Sequence, residues 1–549
     1  MIPAIHGTQT ITEGSFTLPE RISCSGNPAL LSVLEERIHK LPAFASHTFT
    51  YGNTEVSQSV IALSPFDASD ASDANDESYR LTVAPAQVLI QARSDAGFAW
   101  GLTTLFHLLF EGNGSCPCQV IQDAPLYRHR GFLLDCCRHF FDLETTLLMI
   151  EMASLLKINR MHWHISDDQG YRLESRAFPE LNTVGSWREE PDGSTHGGFF
   201  TWEQVKQIVD FASARGVEII PEIDLPGHVS AMIAAYPNLS CSGEPLAVPF
   251  MPGIHKRILC GGKAETLQFI YHLLDEIVPL FPSPYFHIGG DEAPKEEWQK
   301  CPHCQARIKE LGLSGPEELQ AQFSAEIAGY LEKLGKKAIC WNDALKASDF
   351  PENICIQYWD EEGENPAYCR KYADSPNREW IYSFTPAFYF DYLPALTPLR
   401  KAYQFEPVLR SGVYLDTNRL LGLECALWAE QFSTQRELLD RAFPRMYAVA
   451  DRGWNQRQSY VEFMARCQTE IDLFAAMGVS IPSLEDADPV GEHQKQLILD
   501  QWGPSLQRAK LAGMDGAVTV ICGLIRSKLA DQFPPQELEK LINELEGRK

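Results

Sequence analysis

The sequence contains no run of about 18 apolar residues of the kind that spans a bilayer. Its start, MIPAIHGTQTITEGSF, has neither the basic opening nor the apolar core of a secretory signal. These absences predict a soluble, cytoplasmic chain with no membrane partner. Positive charge is scarce too: 47 Lys and Arg against 73 Asp and Glu leave a formal net charge of −26. Such a surface repels nucleic acid and anionic lipid alike, so neither is expected as a partner and a neutral or cationic ligand is. No glycine-rich phosphate loop follows any strand-like run. Nor is there an internal repeat or a low-complexity tract, apart from SPFDASDASDANDES (64–78), which is poor in apolar residues and reads as an exposed loop.

A second pair of cysteines at metal-ligand spacing is likewise lacking. The fifteen cysteines are an odd number, and Cys136, Cys340, Cys355 and Cys425 sit inside apolar runs, where a free thiol packs as a small hydrophobe. Cys301-Pro-His-Cys304 has the spacing of half a zinc site, but no second pair accompanies it, only Cys116 and Cys118 far upstream. It is therefore read as a loop with reduced thiols. No metal and no cofactor are called for.

What is present is ample for a large core: 549 residues, 44% of them hydrophobic. Residues 1–125 read as an α+β domain, in which ESYRLTVAPAQVLIQARS alternates as two strands and GFAWGLTTLFHLLF follows with helical spacing. From 126 to 455 short apolar runs recur between amphipathic helices: GFLLD, RMHWHIS, VEIIPEID, YFHIGGDE, KAICWND, ICIQYWD, WIYSFTP and LLGLECALW. Eight strand-then-helix units predict a (β/α)8 TIM barrel, an α/β fold with parallel strands, over a doubly wound open sheet. Residues 456–549 read as a C-terminal helical region.

In such a barrel the side chains at the C-terminal ends of the strands share one mouth. Here those ends carry Asp135 and Arg138, then His162, His164, Asp167 and Asp168, then Glu222, Asp224 and His228, then Asp291 and Glu292. Trp341 and Asp343, Trp359 and Asp360, Tyr389 and Asp391, and Trp428 with Glu430 complete the circle. Singly, each has an ordinary explanation: Asp135 as a helix cap, one of the two histidines as a structural residue, a tryptophan as core. Together, carboxylates, an arginine and indoles suit a sugar, whose hydroxyls need polar partners while its C–H faces stack on aromatic rings.

Most glycosidases place two carboxyl groups on opposite sides of the bond to be cut. Asp291 and Glu292 are adjacent, and side chains of neighbouring strand residues diverge, so a different division of labour is required. Glu292 is read as the acid that protonates the leaving oxygen, with the substrate's own 2-acetamido group attacking the anomeric carbon. Asp291 then orients the acetamido N–H and stabilises the oxazolinium charge. A proton beside an ionised neighbour is also held more tightly, which suits a general acid.

HIGGDE, together with RGFLLDCCRHF, NRMHWHISDDQGYRLE, IIPEIDLPGHVSAM, WND, LWAEQF and PRMYAVADRGWN in that order, resembles the β-N-acetylhexosaminidases of glycoside hydrolase family 20 over roughly residues 75–455. Acetamido assistance is that family's mechanism, so the preceding reading agrees with the resemblance without being independent of it. The resemblance implies a retaining exo-enzyme that removes terminal β-linked GlcNAc or GalNAc from an oligosaccharide or glycoconjugate. By position it implies Glu292 as acid/base, Asp291 as the acetamido-orienting residue and Tyr389 as a donor to the acetamido carbonyl. Arg138 would grip the 3- and 4-hydroxyls, Asp391 and Glu430 the 4- and 6-hydroxyls, and Trp341, Trp359 and Trp428 would wall the subsite. Asp167, Asp224 and His228 would form a relay behind the acid. Tyr171 stands where the family often has Trp. Three alternatives remain open at this point: a disaccharide-specific relative, one for a sulfated hexosamine, and an inactive sugar-binding barrel. Assembly as a homodimer is compatible with all of them.

Overall fold

The computed structural model describes residues 1–52, 56–66, 77–361, 368–416, 418–511 and 513–546. Most of the acidic loop, residues 67–76, lies outside them. The chain opens with a seven-stranded mixed sheet, ordered Thr8–Thr17, Ser115–Asp123, Tyr79–Ala84, Gln87–Ala92, Ile61–Pro65, Arg21–Ser25 and Thr48–Tyr51. Tyr79–Ala84 and Gln87–Ala92 pair antiparallel across the Pro85 turn, and their burial alternates as the sequence does. The helix Asp95–Glu111 packs on this sheet. It starts at Ser94, whose hydroxyl accepts the Gly97 N–H and satisfies one of the free donors of the first turn.

The eight apolar runs form eight parallel strands closed into a barrel: His129–Asp135, Arg160–His164, Glu218–Glu222, Tyr285–His287, Lys337–Trp341, Cys355–Tyr358, Trp380–Tyr382 and Leu420–Leu427. The last strand pairs in parallel with the first, so no edge is left open. Buried ions lock the N-terminal sheet to the barrel. Asp123 accepts from Tyr79, Lys157 and the Trp454 indole, and Arg130 pairs with Glu77 at 2.5 Å while lying over Trp454.

The barrel interior departs from the usual apolar filling. Glu222 contacts His162, His164 and His287, while Glu424 contacts His129, His162 and Gln357, all of them buried. Both His162 and His164 are thus structural: His164 is bonded at both ring nitrogens, and His162 is bonded through Nδ1 to Glu424 with its Nε2 3.0 Å from Glu222.

The segment from Cys301 is not a loop, as the sequence reading had it, but the entry to the helix Pro302–Leu311, with Pro302 at its first turn. The helix lays Cys304 and Ile308 inward, and this inward face, built from residues distant in sequence, is what the spacing alone did not reveal.

The tail is helical: Tyr460–Ala476, Gly491–Leu511, Asp515–Leu529 and Pro535–Leu545. The last three enclose a core of their own (Ile498, Ile525, Leu541, Ile542) that also takes in Ala395 and Leu396 from the loop after the seventh barrel strand. Gln494 donates to the Ala395 carbonyl at 2.7 Å, and Lys401 pairs with Asp531 at 2.9 Å. Among the described residues no helix is long and apolar enough to cross a membrane.

Candidate active site

After the fourth strand the chain makes a turn that only its glycines permit. Gly289 has φ +65°, and a Cβ there would stand 1.7 Å from Asp224 Oδ1. Three contacts pin the turn. The Gly290 N–H donates to Asp224 Oδ1 at 3.1 Å, Gln320 donates to the Gly290 carbonyl at 2.7 Å, and the Glu292 N–H donates to Asp343 Oδ2 at 3.1 Å. Glu292 itself is left-handed at φ +41°, an unfavourable state for a residue with a Cβ. The consequence is divergence. The Asp291 side chain is 14% exposed and points inward, whereas that of Glu292 is 34% exposed and reaches the open cavity.

Burial pushes Asp291 up to about 7; His228 opposes this, and Glu222, Glu292 and Asp343 add to it. Behind the pair, His228 offers Nε2 to Glu292 at 3.4 Å and lies 3.8 Å from Asp291, while its Nδ1 faces Asp168 at 3.1 Å and Asp167 at 3.3 Å. Burial disfavours a charged ring there, yet the adjacent Asp167 holds His228 well above the ordinary imidazole range. Asp167 also meets Arg138 at 2.9 Å and His164 at 2.8 Å. The chain of contacts therefore runs from Arg138 through Asp167 and His228 to Glu292. Asp224 is not a link in it: this carboxylate supports the Gly289–Gly290 turn beneath Asp291, and burial followed by Asp291 itself pushes its pKa up.

These groups open on a cavity of about 580 Å³ at the C-terminal end of the barrel strands. Arg138, His228, Asp291, Glu292, Trp359, Tyr389, Asp391, Trp428 and Glu430 line it. Trp341 does not. It is almost fully buried one layer down, packed 5.8 Å from Trp428 and donating to Glu222 at 2.9 Å. Trp359 and Tyr389 stack face to face at 6.3 Å, and Trp428 closes on Tyr389 at 6.2 Å, which makes an apolar-faced slot beside Asp291. Burial, reinforced by Glu430, raises Asp391 to about 7, and Arg138 stands over the Trp428 ring at 5.0 Å. Asp135 caps no helix. It accepts the Cys137, Arg138 and Ala429 N–H groups, fixing Arg138 to the last strand.

Sequence reasoning missed two features of this site. Asp168 bonds His228 and also holds Ser230, so the relay rests on two adjacent aspartates. The C-terminal helices reach the mouth as well: Gln501, Trp502, Leu524, Ser527 and Lys528 line it. No local signal marks them, because their placement is decided by packing on the loop after the seventh strand.

Comparison with known proteins agrees with this geometry. The model described as "Glycosyl hydrolase family 20, catalytic domain" matches residues 127–457, and that described as "Glycosyl hydrolase family 20, domain 2" matches residues 1–124. The chain is 34% identical to a beta-hexosaminidase of Porphyromonas gingivalis over 71% of its own length and 52% of the relative's. A beta-hexosaminidase of Vibrio furnissii is 32% identical, over 69% and 65% respectively. The chain thus spans about half to two thirds of the length of these two relatives. Among solved structures, a beta-N-acetylhexosaminidase from Bacteroides fragilis is 30% identical with a TM-score of 0.78, covering 90% of this chain and 99% of that one. An exo beta-N-acetylglucosaminidase from Vibrio harveyi, solved with N-acetylglucosamine, is 27% identical with a TM-score of 0.74, over 88% and 78%.

Proposed function

Since the chain belongs to glycosyl hydrolase family 20, we propose that it is a retaining exo-β-N-acetylhexosaminidase (EC 3.2.1.52) that releases terminal GlcNAc or GalNAc through an oxazolinium intermediate. The observation that carries this reading is the divergence of Asp291 and Glu292. One carboxylate is buried beside the aromatic slot, the other reaches the open cavity, and a single turn fixes both.

A 2-acetamido group in the slot beside Trp359, Tyr389 and Trp428 would place its N–H against Asp291 and its carbonyl oxygen under the Tyr389 hydroxyl. That oxygen attacks the anomeric carbon as Glu292 delivers its proton to the leaving oxygen. The positive charge then spreads over the new ring, where Asp291 stabilises it. In the second half, Glu292 takes a proton from the water that opens the ring, restoring the starting state with the anomeric configuration retained. His228, charged and braced by Asp167 and Asp168, positions Glu292. Asp391, Glu430 and Arg138 would bind the ring hydroxyls, which relieve the unfavourable burial of the two carboxylates. A cytoplasmic location belongs to the same reading, supported by fifteen cysteines of which none is paired in a disulfide.

The test is release of p-nitrophenol from the β-GlcNAc, β-GalNAc and β-glucose glycosides by the wild type and by Glu292→Gln. Turnover of the two acetamido sugars alone, lost on substitution, is expected. Equal turnover of the glucoside would overturn acetamido assistance.

A further inference from the structure

The second pair of cysteines, which no local spacing in the sequence reveals, is supplied by the fold. Cys241 and Cys260 flank a loop after the third barrel strand, and both come to rest against Cys301 and Cys304, with all four Sγ atoms within 4.8 Å of one another. The individual separations are 3.6 Å for Cys260 to Cys304, and 3.8 Å for Cys241 to Cys304 and for Cys260 to Cys301. A disulfide would need about 2.05 Å. A tetrahedral zinc ion with bonds of about 2.3 Å to sulfur spaces its ligands by about 3.8 Å, the edge of the tetrahedron.

The surroundings fit a closed site. Three of the thiols are buried and the fourth, Cys241, is partly so; Ile258, Trp298, Ile308 and Leu319 form a dry shell. Gly262 explains the closeness of the two ligand segments, since a Cβ there would stand 2.2 Å from the His303 backbone.

We propose that Cys241, Cys260, Cys301 and Cys304 bind one structural zinc ion, which staples the loop between the first two cysteines to the segment that follows Asp291 and Glu292. On binding, each thiol gives its proton to solvent and its sulfur becomes a ligand, and no position is left open for water or substrate. The loop has cause to be stapled. Residues 241–257 form no helix or strand, and a structureless stretch of that length needs some tether to hold one shape. Its tip matters to the mouth: Pro252 and Gly253 line the cavity, and the Met251 carbonyl accepts from Gln169, which in turn accepts from Arg138. The zinc therefore positions one wall of the substrate entrance.

The experiment is elemental analysis of the full-length protein purified without chelators, reading zinc and iron together, beside a thiol count and intact mass under denaturing conditions. One zinc per chain is expected. It should be lost in Cys241→Ser and in Cys301→Ser, and kept in Cys522→Ser and in Cys241→His, which restores a ligand. Zinc removal by a chelator should raise KM for an aryl β-GlcNAc glycoside more than it lowers kcat. A wild-type chain with four free thiols and no metal, one with disulfides among them, one holding iron alone, or zinc that survives both serine substitutions would each overturn the proposal. If the serine variants do not fold, protection of Cys241, Cys260, Cys301 and Cys304 from alkylation in the native wild type, lost when the zinc is chelated, places the ion, and alkylation of all four with zinc still bound would overturn the proposal.

Discussion

Asp291→Asn should make the protein more stable and a far poorer catalyst, and the two changes have one origin. The ordinary aspartate value is 3.8 and burial carries Asp291 up to about 7, a gap worth about 4 kcal/mol of disfavoured charge. The sign follows from linkage. Below the unfolded value both states hold the proton and nothing is gained or lost. Between there and about pH 7 the unfolded chain has released its proton while the folded chain keeps it, so folding weakens as pH rises; above about 7 the full penalty stands. The near-isosteric amide removes that penalty. Its stabilising effect should be absent near pH 4 and grow to at most about 4 kcal/mol by pH 8. An oxazolinium cation would recover the same energy in the transition state, so the variant should lose about 10³-fold in kcat/KM on p-nitrophenyl β-GlcNAc. The acid limb of the wild-type kcat/KM profile, falling tenfold per pH unit below about 7, should also vanish. Thermal unfolding from pH 4 to 8 and initial rates over the same range test all of this. A stability difference independent of pH, or an acid limb that survives in the variant, would refute the reasoning.

Three further outcomes are expected. Gly289→Ala combines a left-handed φ of +65° with a Cβ 1.7 Å from Asp224 Oδ1, so it should lower unfolding stability by roughly 2–5 kcal/mol, measured by denaturant titration. Burial opposes a charged His162, but Glu222 and Glu424 raise it to about 9. Its stabilising contribution, about 3 kcal/mol, should be complete below the ordinary histidine value and disappear as pH rises through about 9, and unfolding of the wild type and His162→Gln should converge there. Trp502→Ala removes an aromatic wall of the mouth without touching Asp291 or Glu292; KM for a chito-oligosaccharide should rise about 3- to 10-fold with kcat little changed, read from steady-state kinetics.

The barrel was legible because each strand announces itself twice, as a buried apolar run and by the polar residues that end it. LLGLECALW illustrates both, since all eight residues of Leu420–Leu427 are buried and Trp428 follows directly at the mouth. Asp291 and Glu292 were legible through the glycines before them, whose positive φ the turn requires. Other features depend on closure in space and have no local signature. Trp341 belongs to a strand end, but its ring sinks beneath Trp428 because the Glu222 carboxylate accepts its indole N–H from below. Cys241 and Cys260 stand too far apart to register as a pair until the loop between them folds back. Trp502 reaches the mouth only because the tail packs on Ala395 and Leu396.

The ion-filled barrel interior carries a last consequence. Glu222, Glu424 and the histidines between them plug the space beneath Trp341, so the cavity is a dead end and not a tunnel. A glycan chain can insert only its tip, and the freed sugar must leave by the same door. On the proposed reading the polymer has to let go after every cut. Degradation is then distributive, and a mixture sampled early should hold chains shortened by one unit across the whole population, not a few chains digested to the end.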